Sequence, residues 1–124
     1  MPYTTTWHDR GIEWKFSGHV TAAEIERANE EFFKDGRSDN ARFQLVDLGE
    51  VESVEWEERD IKATAAYDIG AEATLKNIRL AYVTKDDEIR RLLEMYVDIS
   101  RRLNSSWRFK GFEDVKAARE WARG

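Results

Sequence analysis

The sequence contains no cysteine, which excludes disulfides, thiol nucleophiles, iron–sulfur clusters and cysteine-ligated zinc. It has one proline and seven glycines among 124 residues, too few for a low-complexity or linker-rich chain. Only two histidines, His8 and His19, are available for metal ligation or imidazole catalysis. No apolar run reaches the roughly eighteen residues that a membrane-crossing helix needs. The opening Met1-Pro2-Tyr3-Thr4 lacks the basic and apolar regions of a signal peptide. The expectation is a cytoplasmic protein without an integral membrane segment. A surplus of basic residues is also missing: Lys and Arg number 20 against 25 Asp and Glu, a net charge of −5. That balance argues against general nucleic-acid binding, which depends on neutralising phosphates.

What is present suits one compact domain spanning residues 1–124. Aromatic residues make up 12% and charged residues 36% of the chain, enough to fill a core and solvate a surface. At this length folding buries about two-thirds of the unfolded chain's surface.

Tyr3 to His8 and Ile12 to Ser17, joined by Asp9-Arg10-Gly11, read as a hairpin, because Ile12, Trp14 and Phe16 alternate with Glu13, Lys15 and Ser17. Thr21 and Glu24 have capping-box spacing, and Ile25, Ala28, Phe32 and Phe33 continue one helical face until Gly36. Phe43-Gln44-Leu45-Val46-Asp47-Leu48-Gly49 is a short, mostly apolar strand of the kind covered on both faces. A second helix, Glu57 to Leu75, places Ile61, Ala65, Ile69 and Ala73 at four-residue spacing. Ile78 to Thr84 is a strand, and Asp86 or Asp87 caps a helix with Ile89, Leu92, Tyr96, Ile99 and Leu103 inward. Trp107 to Phe109 and Glu113 to Ala122 complete the order β-β-α-β-α-β-α-β-α, the last helix turning Val115, Ala118 and Trp121 or Ala122 inward. Strands alternating with helices require parallel pairing through right-handed crossovers. The fold class is therefore α/β: a mixed sheet of about five strands, the N-terminal hairpin strand on its edge, packed with four helices.

Several charged groups have both a chemical and a structural explanation. Glu50, Glu52, Glu55, Glu57, Glu58 and Asp60 form the densest acidic run. Several converging oxygens hold a divalent cation, but acidic residues also suit a helix N-terminus, and the solvated-cap explanation is preferred. The same charges oppose a phosphate at this strand end. His8 and His19, on neighbouring parts of the hairpin, would need Asp9 or Asp47 as a third ligand, so no metal or other cofactor is expected. Arg101, Arg102, Arg108 and Lys110 form a basic group that complements the end of the third helix, with acidic lipid or a partner carboxylate as the alternative target. Ala63, Ala66 and Ala71 lie off the inward stripe of the second helix and lower the polarity of its outer face beside Trp56 and Tyr67.

Val46-Asp47-Leu48 at the end of the central strand, Asp87-Glu88-Ile89-Arg90-Arg91-Leu92-Leu93 opening the third helix, and Phe112, Ala117-Ala118 and Trp121 near the C-terminus together resemble the STAS domain and the SpoIIAA-like superfamily, in particular its stand-alone bacterial members. The resemblance covers nearly the whole chain. It implies a non-catalytic domain that binds a protein partner or a small apolar or anionic ligand. In the anti-sigma antagonist branch a serine opening the second helix is phosphorylated, and here Trp56 and Glu57 hold that place, with Ser53 the nearest hydroxyl. A regulatory interaction domain without that phospho-switch is the first expectation, its partner another protein or a second copy of itself. A carrier or sensor of an apolar, lipid-like molecule, held between the second and third helices, is the alternative. Sites in open α/β sheets form beyond the carboxyl ends of central strands, which points to Asp47, Gly49, Ser53, Trp56, Glu57, Asp60, Tyr67 and Lys85 as the binding surface. Trp56 is read there as either an interface anchor or a core residue.

Overall fold

The computed structural model describes residues 3–124. Its elements are β1 (Tyr3–His8), β2 (Gly11–Thr21), α1 (Ala22–Lys34), a short 3-10 turn (Gly36–Asn40), β3 (Phe43–Glu55), α2 (Glu58–Ala71), β4 (Arg79–Val83), α3 (Asp87–Arg102), β5 (Arg108–Phe112) and α4 (Val115–Arg123). The strands lie side by side in chain order, β1-β2-β3-β4-β5, with β1 antiparallel to β2 and every later pair parallel. This is the expected five-stranded mixed sheet with four helices, β1 at one edge.

The strand order explains where the helices go. Each right-handed crossover that steps the same way along the sheet lands on the same face, so α1, α2 and α3 cover one side and α4 turns back to cover the other. Alternation in β3 then divides the core. Phe43 and Leu45 pack with Ala81, Val83, Ala118 and Ala122 beneath α4. Leu48 joins the larger cluster with Trp14, Phe16, Ile61, Leu80 and Tyr96, against which Val46 also packs. In α4 it is Ala122, not Trp121, that is buried.

Local signals account for the helix ends. Thr21 and Glu24 form the capping box anticipated at α1. Asp86 caps α3 by accepting from the amide of Ile89 at 2.9 Å, and Asp114 caps α4 through the amide of Ala117. Leu103, expected on the inward stripe, is instead 45% exposed, since α3 ends at Arg102. Likewise α2 ends at Ala71, so Ala73 lies outside the helix and exposed. Two glycines are required by close packing. A Cβ on Gly11 would sit 2.2 Å from the Phe43 ring, and one on Gly111 2.5 Å from the Tyr82 ring.

The largest departure from expectation lies in β2 and β3. Both run well past the sheet proper: β3 leaves β4 after Asp47 pairs with Val83, yet continues beside β2 to Glu55. The stretch from Glu50 to Glu55, which falls between the expected strand and the expected second helix, is thus half of a two-stranded parallel ribbon. Its register shifts between Lys15 and Ser17 and between Gly18 and His19, with Gly18 at φ 67°. These irregularities bend the ribbon so that Val20 is buried and Val54 packs against the core.

Candidate functional site

The expected site residues do not form one surface. Asp47 is half-buried and accepts from the amide of Gly49 at 3.0 Å, while Gly49 itself is exposed. Glu57 is the exposed N-cap of α2, and Asp60 reaches back to the Glu57 amide at 3.0 Å. The acidic run is therefore partly strand surface and partly helix cap. Lys85 is exposed in the turn after β4, a turn tied to α3 through Arg90, which donates to the Thr84 carbonyl at 3.2 Å.

Trp56 belongs to the core. It is 7% exposed, packs against Tyr96 at 5.9 Å between ring centroids, and donates from Nε1 to Thr64 Oγ1 at 3.3 Å. The bent ribbon turns this residue inward, which removes it from any interface. Tyr67 is the reverse case, 45% exposed with one edge against Phe33 at 5.5 Å.

Ser53 lies on the ribbon, where its Oγ is 2.6 Å from His19 Nδ1, and His19 Nε2 is 3.5 Å from Glu55. A serine, a histidine and a carboxylate in line have the roles of an activated nucleophile. The pair is solvent-exposed, however, and lacks the desolvated cleft that makes such an arrangement effective. A cross-strand hydrogen bond between partners in register is the simpler description. His8 is remote from His19, because it pairs with Gly11 at the opposite end of β2, eight residues or about 26 Å away at strand rise. It bonds Glu13 at 2.9 Å in a network that Arg119 completes with two contacts to the same carboxylate, at 2.9 and 2.7 Å. Among the described residues no three His, Asp or Glu side chains are placed to hold a metal ion.

The distinctive chemistry is inside. Between the sheet and helices α1 to α3 lies a cavity of about 80 Å³, walled by aromatic and aliphatic side chains including Trp14, Phe16, Trp56, Leu80 and Leu93. Asp68, Gln44 and Tyr96 also line it. Asp68 is only 4% exposed and Gln44 1%. Asp68 Oδ2 accepts from the Tyr96 hydroxyl. Among the described residues Asp68 Oδ1, Gln44 Nε2 and Trp14 Nε1 have no hydrogen-bond partner, an arrangement that costs about 1–3 kcal/mol for each such buried group. Burial pushes the Asp68 carboxyl up to about 7, against the opposing pull of the Tyr96 hydrogen bond and with a further push from Glu72. Burial, followed by the neighbouring Asp68, holds the Tyr96 hydroxyl well above its ordinary value.

A groove of about 210 Å³ lies between α1 and α2, bordered by Glu26, Asp60, Ala63 and Tyr67. Asn29 and Thr64 line both groove and cavity. The groove therefore sits directly over the cavity, and those two side chains form the partition. Ala63, on the alanine-rich outer face of α2, lines the groove.

Asp68 and Gln44 escaped the reading by sequence pattern. Asp68 stands seven residues after Ile61, where helical periodicity turns a side chain inward more faithfully than the four-residue stripe through Ile69 does. Ile61, Ala65 and Asp68 are the buried residues of α2. An acid on that stripe was the available signal.

No family model matches the chain, and no curated protein matches it. Among solved structures it is similar to an uncharacterized protein of the DUF3478 family with a SpoIIAA-like fold from Shewanella loihica PV-4, with 14% sequence identity, a TM-score of 0.57, and coverage of 97% of this chain and 91% of that one. No helix is long and apolar enough to cross a membrane among the described residues. Overlap across nearly the full length of both chains, together with the five-stranded mixed sheet and its four helices, assigns this chain a SpoIIAA-like fold.

Proposed function

We propose that the protein is a non-catalytic, cytoplasmic domain that binds a small molecule in the cavity beneath α1 to α3. The observation that carries this reading is the union of an apolar wall with buried polar atoms that lack partners, Asp68 Oδ1 and Gln44 Nε2 above all. Folding normally pairs such atoms, and a few convergent polar groups in an apolar hollow are the usual composition of a ligand site. At about 80 Å³ the cavity is roughly half the size of an engineered one that admits benzene. By that proportion it takes about three heavy atoms, so a longer molecule extends into the groove above it, and a whole long acyl chain exceeds both.

Native mass spectrometry of freshly purified protein, followed by denaturing extraction, tests this reading. A small mass released on denaturation is expected. A clean protein mass, combined with no uptake of small organic molecules at millimolar concentration, would overturn it.

The partner-binding reading keeps one supporting observation. Tyr67 stands 45% exposed, with exposed Ala63 and Ala66 on the same helix. An aromatic ring beside small residues suits a close contact with another protein or with a second copy of this chain. Concentration-dependent sedimentation that Tyr67→Ala abolishes would favour it.

A further inference from the structure

The charged residues bordering the cavity and its groove are all acidic: Asp68 within, and Glu26 and Asp60 at the opening. Among the described residues no Lys, Arg or His lines either space. The inner wall adds the rings of Trp14, Phe16, Trp56 and Tyr96. Aromatic faces attract cations through their quadrupoles, and a buried carboxylate is stabilised chiefly by an opposite charge that also donates a hydrogen bond. We propose that the cavity is a site for a small alkylammonium ion, its N–H groups against the unpartnered oxygen of Asp68 and its alkyl part among the aromatic and aliphatic walls. This rests on the cavity-binding reading above and names the ligand class for the same site.

Three features select this class over its neighbours. An anionic ligand such as a short carboxylate could accept from the free N–H groups of Gln44 and Trp14, but it would bring a second negative charge beside Asp68 without a cation to offset it. A neutral alcohol donates to the free oxygen of Asp68 but brings no positive charge to offset the buried carboxylate. A quaternary ammonium satisfies the rings but has no N–H for the carboxylate. The proton count balances simply: an ammonium that enters against protonated Asp68 displaces that proton to solvent, and a neutral amine takes it.

Calorimetric titration with three probes that share a linear four-carbon chain, n-butylammonium, n-butanol and butyrate, tests the proposal on the full chain at pH 7.5. The expected order is butylammonium tightest, butanol at least about tenfold weaker, and butyrate without measurable heat. Asp68→Asn should weaken butylammonium about tenfold or more while changing butanol less than about threefold. Thermal unfolding of that variant establishes that it is folded. Butanol or butyrate binding as tightly as butylammonium would overturn the ammonium assignment and leave cavity binding standing, as would unchanged butylammonium affinity in Asp68→Asn. No heat from any of the three would overturn both.

Discussion

Replacing Asp68 by Asn should make the protein more stable at alkaline pH and leave it nearly unchanged in acid. Asp68 is buried beneath α2, and its carboxyl is pushed from an ordinary 3.8 to about 7 in the folded chain. Between those two values the folded state holds a proton that the unfolded state has released. Stability then falls as pH rises, by about 1.4 kcal/mol per pH unit. The window spans about three units, so ionised Asp68 costs the fold about 4 kcal/mol above pH 7, an upper bound where water enters or side chains relax. Asparagine keeps the shape and still accepts from the Tyr96 hydroxyl, but does not titrate. Urea unfolding of both proteins, followed by tryptophan fluorescence from pH 4 to 8.5, should give equal stabilities within about 1 kcal/mol near pH 4. The variant's advantage should then grow to between about 2 and 4 kcal/mol by pH 8. Contributions from other carboxylates cancel in this difference, provided their surroundings are unchanged. A difference that stays flat, or that favours the native aspartate as pH rises, would refute the assignment of Asp68 as a buried, uncompensated acid.

Three further outcomes follow from the packing. Trp56→Ala should cost about 3–5 kcal/mol in chemical unfolding and leave sedimentation unchanged, whereas weakened self-association at unaltered stability would put Trp56 back at an interface. Arg119→Ala should cost about 1–2 kcal/mol at neutral pH, since Arg119 is partly exposed but leaves buried Glu13 with only His8 as partner. Hydrogen bonding from Arg119 holds the Glu13 carboxyl below 4.5, so this stabilisation is present above that value and fades as pH falls; denaturant midpoints of the two proteins should converge in acid, and a gap that widens there would contradict the ion pair. Gly111→Val should lose about 1–3 kcal/mol because the Tyr82 ring occupies the space of any side chain there, and thermal unfolding that matches the native protein would show that the ring yields freely.

Most of the framework was legible because local chemistry and tertiary packing agree. Thr21 with Glu24, the alternation of Ile12, Trp14 and Phe16, and the inward positions of Ile89 and Tyr96 each satisfy a short-range rule and a core contact at once. The ribbon was hidden because Gly49 and the acids Glu50, Glu52 and Glu55 have loop composition, while its pairing comes from β2, some thirty residues earlier. Its bend breaks the two-residue alternation, so Val51 and Val54 sit three apart. Trp56 therefore gave no sign of whether it faced in or out. The candidate site was hidden for another reason: patterns sort residues by polarity, and the site consists of polar residues in apolar positions, Asp68 on the buried stripe of α2 and Gln44 as the second residue of β3, between buried Phe43 and Leu45.

The strand order carries a consequence for how the chain acquires its shape. Each strand from β2 to β5 lies beside its predecessor in sequence, so assembly can proceed as successive additions, with each loop closure spanning only one helix and its turns. Such short separations favour rapid folding for a sheet that is largely parallel. The helical side of the sheet can be complete before α4 arrives. Until α4 docks, Phe43, Leu45, Ala81 and Val83 present an uncovered apolar strip, and an intermediate at that stage would be prone to self-adhesion. The Arg119–Glu13 pair, which joins positions 106 apart, ties the last helix to the first hairpin across that face.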